Sequence, residues 1–292
     1  MPKIGLVKVC GLFGVTRQAY YSHFWRQQET SIEESIVLGL VNEIRLAQPR
    51  IGVRKIHYLL EDDFRLHQIK MGRDALFDLL SRHNLLIKRR RIKPYTTNSY
   101  HRFRKYPNLI ENIALSGPNQ LWVSDITYLR TEEGFIYLSL ITDAFSKKIV
   151  GFHVSKDLSA LNNLIALKMG FKTIETPVLG LIHHSDRGSQ YCSKEYTDLL
   201  KKNHVLISMT ENGDPRENAI AERINGIIKN ELLEHMRLID LPDAVSKVQR
   251  AISIYNQKRP HLSCGYLTPE QAHTGKFKFE KKWKNYYQTS KN

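Results

Sequence analysis

The hydrophobic positions in the second half of the chain follow a pattern that predicts strands. Residues 120–129, 135–142 and 148–154 are short runs rich in Val, Ile, Leu, Tyr and Thr, and a turn containing Gly joins the first two. Residues 178–184 form a shorter, largely apolar run, which is typical of a strand buried on both faces. A fifth run covers residues 205–209. The pattern therefore predicts three antiparallel strands followed by two buried ones.

Helical periodicity lies between and after these strands. Apolar residues recur at helical spacing over residues 160–171 and 193–202. Another helix is predicted after the fifth strand, where Asp214 and Glu217 form a capping box and Pro215 fits the first helical position. Three antiparallel strands followed by alternating helices and strands is the order of a ribonuclease-H-like fold in the α/β class.

The helix after the fifth strand has two faces. Its apolar face carries Ile220, Ile224, Ile227 and Ile228. Its polar face carries four residues at positions i, i+4, i+7 and i+11, namely Asn218, Glu222, Asn225 and Lys229. Taken alone, such a polar face most often indicates a solvated surface.

The N-terminal third of the chain has a helical pattern. Residues 5–26 predict a short helix, a tight turn and a second helix, and residues 32–47 predict an amphipathic helix. Residues 50–60 and 72–80 predict two further helices, with a break near residues 64–71. Helix, basic turn and helix is the pattern of helix-turn-helix DNA-binding modules. The candidate phosphate contacts of this region are Arg50, Arg54, Lys55 and Arg73.

The charge of the chain indicates a polyanionic partner. The 292 residues are 41% hydrophobic, enough for a real core, and the net charge is +15. Residues 50–106 contain 15 Lys or Arg and 5 Asp or Glu, so that 15 − 5 = +10 of this charge falls in one segment. Basic and aromatic residues alternate over residues 88–106, as in a linker that lies along a DNA backbone. Its basic run consists of Lys88, Arg89, Arg90, Arg91 and Lys93.

The cysteines indicate a reducing compartment. Cys10, Cys192 and Cys264 are far apart and form no CxxC pair, which argues against a zinc ribbon and a disulfide framework. The sequence has no signal peptide and no apolar run of membrane length. It therefore predicts a soluble, cytoplasmic protein without a membrane partner.

Three acidic residues fall where the predicted elements converge. Asp125 lies in the first strand, Asp186 follows the fourth strand and Glu222 lies on the last of these helices, with 60 and 35 residues between them. In a ribonuclease-H-like sheet the first and fourth strands are neighbours, so these carboxylates can meet. Mg²⁺ or Mn²⁺ would relieve their mutual repulsion. Two such ions about 4 Å apart can activate a water or a 3′-hydroxyl at a phosphodiester.

Several ordered motifs resemble the DDE core of insertion-sequence transposases. They are Asp125-Ile126-Thr127, His184 to Tyr191, Asn218 to Glu222 with Lys229 seven residues on, Tyr255 to His261, and Leu267 to Ala272. Together they are similar to the second-reading-frame product of the IS-three family, a relative of retroviral integrases, over about residues 45–275. The resemblance implies a bacterial transposase that cuts and joins DNA at the ends of its insertion sequence. It also implies a circular DNA intermediate and no covalent protein–DNA intermediate.

The same resemblance implies residue roles and partners. Asp125, Asp186 and Glu222 would be catalytic and would bind the metal ions, Lys229 would contact the terminal DNA, and Asn218 would assist. The implied partners are the terminal inverted repeats, target DNA, further copies of the chain and an upstream-frame DNA-binding subunit. When bound to DNA, the protein would be associated with the nucleoid.

Other polar residues have a structural explanation, and two alternative functions stay open. Structural roles are predicted for His183, His184, Asp143, Arg259, Pro260 and His261, and Trp122 is predicted to lie in the core. One alternative is a ribonuclease-H-like nuclease without strand transfer, and the other is an inactive or repurposed transposase that only binds DNA. The predicted parts are a helix-turn-helix-like segment (1–30), a helical DNA-binding domain (31–87), a basic linker (88–118), the catalytic core (119–275) and a basic tail (276–292).

Overall fold

The chain divides into two compact units in the computed structural model. One unit comprises Met1–Ala47 and Ile51–Lys88, and the other comprises Gln48–Arg50 and Arg89–Asn292. The structure describes residues 5–88, 102–111, 113–174, 179–211 and 218–275. The candidate residues outside these ranges are Arg89, Arg90, Arg91, Lys93, Asp214, Pro215 and Glu217, together with the tail 276–292.

The described part of the first unit is helical. Its helices are α1 (Leu6–Leu12), α2 (Arg17–Ala47), α3 (Val53–Leu59), α4 (Glu61–Leu66) and α5 (Arg73–Arg82). Its core contains Val37, Val41, Ile56, Leu60, Leu76, Leu79 and Leu80. The two helices predicted between residues 17 and 47 are one continuous helix, because residues 26–31 contain neither Gly nor Pro to interrupt it. Helix α4 also occupies part of the predicted break.

The second unit is built on a mixed five-stranded sheet. Its strands are β1 (Leu121–Thr131), β2 (Gly134–Asp143), β3 (Ile149–Ser155), β4 (Ile182–Ser185) and β5 (Leu206–Met209), in the order β3-β2-β1-β4-β5. The β1–β2 and β2–β3 pairs are antiparallel, and the β1–β4 and β4–β5 pairs are parallel. The prediction of a ribonuclease-H-like fold is confirmed, and the order of the strands makes β1 and β4 neighbours.

Helices cover both faces of this sheet. They are α6 (Ala160–Phe171), α7 (Ser189–Cys192), α8 (Lys194–Lys202), α9 (Ala219–Ile227), a π-helical turn (Ile228–Leu233), α10 (Leu241–Lys258) and α11 (Pro269–Thr274). One hydrophobic cluster joins the sheet to α9 and α10, and another joins it to α6, α7 and α8. Trp122 is fully buried in the second cluster, as the sequence predicts. Among the described helices, none is long and apolar enough to cross a membrane.

Two elements start later than the sequence predicts. Strand β4 begins at Ile182 rather than near residue 178, because Gly180 adopts a φ of +81° and Leu179 is 89% exposed. Helix α9 begins at Ala219 with Asn218 at its N-cap position, and its regular winding gives way to the π-helical turn after Ile227. These shifts leave the three acidic residues on or beside their predicted elements.

Candidate active site

Asp125 lies on β1, two residues beyond the segment that pairs with β4. Its Oδ1 accepts a hydrogen bond from the backbone N–H of Ile126 at 2.8 Å. Its Oδ2 accepts one from the Nδ2 of Asn225 at 2.7 Å. Asn225 is buried on α9, one turn after Glu222. The helix therefore holds this carboxylate through an asparagine, to which the sequence pattern had given no role.

The electrostatics of Asp125 link the three acidic residues. The pKa of Asp125 is raised to about 7, chiefly by burial, then by the negative charge of Asp186 and to a smaller extent by that of Glu222. The hydrogen bond from Asn225 acts in the opposite direction. Because these effects weaken with distance, Asp186 and Glu222 both lie within electrostatic reach of Asp125.

Asp186 follows directly after β4 and is half-buried. Its Oδ1 accepts the backbone N–H of Gly188 at 3.0 Å, so the backbone of the next turn orients the carboxylate. A Cβ added at Gly188 would lie 3.0 Å from this same Oδ1. The absence of a side chain at Gly188 thus allows the turn to approach the carboxylate closely.

Tyr191 lies beside the two aspartates. Its side chain is buried, and its hydroxyl is 3.2 Å from the hydroxyl of Ser124. Burial raises the pKa of Tyr191 well above its ordinary value, and the charges of Asp125 and Asp186 add to the shift. Tyr191 therefore stays neutral. The sequence motif contained this residue, but nothing in the sequence indicated its position next to both carboxylates.

Glu222 is on the exposed side of α9, where it lines an open groove with Arg223, Gly226 and Asn230. Partial burial raises the pKa of its carboxyl group. Within the described ranges, no three His, Cys, Asp or Glu side chains come close enough together to hold a metal ion. In this conformation Asp125, Asp186 and Glu222 are thus not grouped as closely as a metal centre requires.

The donor groups nevertheless fit a hard divalent cation. Asp125 and Asp186 offer carboxylate oxygens, the ligands that Mg²⁺ and Mn²⁺ prefer, and a cation would relieve the repulsion that raises the pKa of Asp125. The Oδ1 of Asn225 is buried and has no hydrogen-bond partner among the described residues, so it is a further oxygen in need of a partner.

Two residues of the predicted polar face have different environments. Lys229 is half-buried on the π-helical turn, and its Nζ lies 3.7 Å from the centre of the Tyr128 ring. Asn218 is only 6% exposed, and its Nδ2 donates to the backbone oxygen of Ser124 at 3.2 Å. The side chain of Asn218 thus joins α9 to β1, and its contact with DNA stays a prediction.

The candidate DNA contacts described between residues 50 and 88 are half-exposed or exposed. Arg54 is exposed and Lys55 is half-exposed on α3. Arg73 forms a 2.8 Å ion pair with Asp74, and both Arg73 and Arg54 lower the pKa of Asp74. These two arginines therefore lie near one carboxylate. Of the other candidates, Arg50 is half-exposed and Lys88 is exposed.

The residues with predicted structural roles do contribute to the core. His183 and His184 are buried in β4, where they contact the hydroxyl groups of Tyr196 at 2.9 Å and Ser208 at 2.8 Å. Asp143 accepts from the backbone N–H and the hydroxyl of Ser146. It therefore holds the turn after β2, as predicted.

A buried arginine ties the C-terminal motif to the helix after Glu222. Arg259 is 2% exposed and donates from Nε and Nη2 to Glu231 on the π-helical turn, at 3.0 and 2.8 Å. Its Nη1 is 2.9 Å from the Nε2 of His261. This part of the motif therefore has a structural role in the described core.

Comparison with known proteins gives consistent matches. Residues 116–215 match a family described as "Integrase core domain", and residues 203–269 match a second family of the same description. The "Insertion element IS600 uncharacterized 31 kDa protein" of Shigella sonnei is 36% identical over 267 residues, covering 89% of this chain and 96% of that protein. "Transposase InsF for insertion sequence IS3A" of Escherichia coli is 31% identical over 274 residues, covering 90% of this chain and 92% of that protein. The HTLV-2 integrase catalytic core, in a complex with magnesium, is 22% identical with a TM-score of 0.43 over 54% of this chain and 97% of that one.

The family match and the order of the strands define the class of protein, a ribonuclease-H-like DNA-processing enzyme of the DDE type. Because two insertion-sequence relatives match over most of their length, the chain belongs to the IS-three family of transposases. It acts on DNA in transposition, and neither alternative function gains support. Enzymes of this type generally depend on a divalent metal ion.

Proposed function

We propose that Asp125, Asp186 and Glu222 form the catalytic site of this transposase and bind two Mg²⁺ or Mn²⁺ ions. The observation that carries the proposal is the parallel pairing of β1 with β4, which puts Asp125 and Asp186 at the same edge of the sheet, while Asn225 joins α9 to Asp125. Bound ions would activate the attacking hydroxyl or water and stabilise the leaving oxygen of the phosphodiester. The reaction would proceed by direct phosphoryl transfer, without a covalent bond between protein and DNA.

The surrounding residues would orient these carboxylates. Asn225 holds one oxygen of Asp125, and the backbone N–H of Gly188 holds one oxygen of Asp186. Tyr191 remains neutral beside both aspartates, so it adds no competing charge to the site. Such fixed contacts favour catalysis because the ligands need little reorganisation when the substrate binds.

Basic residues would bind the substrate DNA. Lys229 would contact a phosphate of the terminal DNA, because it follows Glu222 by seven residues, on the π-helical turn that continues α9. Contacts of the first unit and the linker would position the insertion-sequence ends through phosphates. The residues proposed for this role are Arg50, Arg54, Lys55, Arg73, Lys88, Arg89, Arg90, Arg91 and Lys93.

The substrates would be the terminal inverted repeats of the element and its target DNA. Two ends must be held together for strand transfer, so the active form would be a multimer of this chain. An upstream-frame DNA-binding subunit would contribute to end recognition. The enzyme would act in the cytoplasm and would be associated with the nucleoid when bound to DNA.

Cleavage and strand transfer on duplexes that carry the element's terminal sequence test the catalytic assignment. Wild type should require Mg²⁺ or Mn²⁺, and Glu222→Gln should lose cleavage while it retains DNA binding. Glu195→Gln, a glutamate on α8, is a matched control that should remain active. The assignment fails if wild type and Glu222→Gln are equally inert while both bind the DNA, or if both are equally active.

A further inference from the structure

The ammonium group of Lys229 rests on an aromatic ring of β1. Its Nζ lies 3.7 Å from the centre of the Tyr128 ring, well within the range of a cation–π contact. Lys229 is in the first turn of the π-helical segment, and Tyr128 is three residues after Asp125. Both side chains are half-buried, and burial lowers the pKa of Lys229.

A second aromatic residue fixes the orientation of this ring. Phe135 meets Tyr128 edge to face, with the ring centres 5.5 Å apart and an angle of 89° between the planes. Tyr128 pairs with Tyr137 across the β1–β2 hairpin, so Phe135 is its diagonal neighbour. The ring that supports Lys229 is therefore held by the hairpin itself.

The two members of this contact lie on the elements that carry the catalytic carboxylates. Lys229 follows Glu222 by seven residues, which is about two helical turns. Tyr128 follows Asp125 on β1 by three residues, about 10 Å along the strand. A long, flexible lysine side chain is thus constrained from the helical segment that follows Glu222 and from the strand that carries Asp125.

An aromatic partner differs from an acidic one in its effect on DNA binding. The quadrupole of the ring attracts the ammonium group but carries no net charge. A carboxylate at the same place would compete with a phosphate for the lysine. A lysine held by a ring is positioned and still keeps its full charge for a phosphate.

We propose that Tyr128 is a positioning residue that holds the Lys229 ammonium group in place to receive a phosphate of the terminal DNA. The inference rests on the proposed DNA contact of Lys229. Tyr128 itself makes no contact with the DNA in this arrangement. Its contribution to DNA affinity must therefore disappear when Lys229 is absent.

A double-mutant cycle in the full chain tests this dependence. The variants are Tyr128→Leu, Lys229→Met and both together, and the measurement is the affinity for a short duplex that carries the element's terminal sequence. Tyr128→Leu should weaken binding by about two- to fivefold, the range of one exposed cation–π contact. It should have no further effect in the Lys229→Met background. Tyr128→Phe keeps the ring and should bind like wild type.

The controls separate positioning from a general effect on folding. Tyr137→Leu removes the half-buried tyrosine directly across the hairpin and should leave affinity unchanged. If Tyr128→Leu does not fold, as judged by thermal unfolding, Tyr128→Gln replaces it at this half-exposed position. Additive losses in the cycle, or unchanged binding by the Tyr128 variant, would overturn the positioning role of Tyr128. They would leave the proposed DNA contact of Lys229 unaffected. Unchanged binding by Lys229→Met would overturn the proposed DNA contact of Lys229 as well.

Discussion

Replacing Asn225 by alanine tests how the site holds its first carboxylate. The substitution removes the Nδ2 group that donates to the Oδ2 of Asp125 at 2.7 Å. A hydrogen bond to a charged group contributes about 1.5–3 kcal/mol. If the transition state loses this stabilisation, the rate falls by about ten- to hundredfold. We therefore expect Asn225→Ala to reduce DNA cleavage by this factor, and to need a higher Mg²⁺ concentration for half-maximal rate.

Asn225→Asp is the more severe variant of the same experiment. It keeps the size of the side chain but replaces a donor by a second negative charge next to the Asp125 carboxylate. Like charges at this distance repel by several kcal/mol in a partly buried site. Cleavage should therefore fall further than in Asn225→Ala, while affinity for the DNA changes little.

Asn162→Ala is the matched control for these measurements. The Nδ2 of Asn162 donates to the Oδ1 of Asp157 at 2.8 Å, the same kind of pair on the exposed surface at the start of α6. This variant should cleave DNA like wild type. The reasoning is refuted if Asn225→Ala keeps wild-type activity and Mg²⁺ dependence, or if Asn162→Ala loses as much activity.

Three further predictions concern the support of the site and the stability of the fold. Gly188→Ala should lower cleavage several-fold, because the added Cβ would lie 3.0 Å from the Oδ1 of Asp186, and thermal unfolding should change little. Arg259→Met should lower the free energy of unfolding in urea by about 3–5 kcal/mol, because it leaves Glu231 without its buried partner. Burial lowers the pKa of His183 to about 3, so between about pH 3 and pH 6.5 the unfolded chain binds up to one more proton than the folded protein. The stability due to neutral His183 is fully present above about pH 6.5 and is lost at about 1.4 kcal/mol per pH unit as the pH falls below it. The free energy of unfolding in urea should therefore depend less steeply on pH in His183→Gln than in wild type.

Each of these predictions has its own control or contrary outcome. An added Cβ at Gly226 would meet only the Nδ2 of Asn230 at 3.8 Å, so Gly226→Ala should keep its activity, and equal losses at both glycines would contradict the argument. The double variant Arg259→Met, Glu231→Met should recover part of the lost stability, and no recovery would argue against a direct pair. An identical pH dependence in wild type and His183→Gln would exclude His183 as its source.

Much of the candidate site could be predicted from local sequence. Asp125 and Asp186 belong to short apolar strands or follow them directly, and Glu222 belongs to a helix with clear periodicity. Strand pairing in the predicted fold then brings these elements together. The turn held by Asp143 was predictable as well, because its partner Ser146 is only three residues away.

The neighbours of the carboxylates could not be predicted in the same way. Asn218 and Asn225 occupy the same predicted polar stripe, yet one donates to the backbone of Ser124 and the other to the side chain of Asp125. This difference depends on how α9 crosses β1. Periodicity describes a helix face, but it does not state which partner that face will meet.

The sequence by itself determined the class of fold, the three candidate carboxylates and the basic character of the proposed DNA-binding regions. These properties follow from residue type and short-range spacing. Only the tertiary structure decided that Asn225 holds Asp125, that Lys229 rests on Tyr128, and that Arg259 binds Glu231. The first two contacts join residues about a hundred positions apart, and the third joins residues 28 positions apart, on either side of α10. Contacts of this kind arise only when sheet and helices pack together, because the packing angle and the late π-helical turn set which side chains meet.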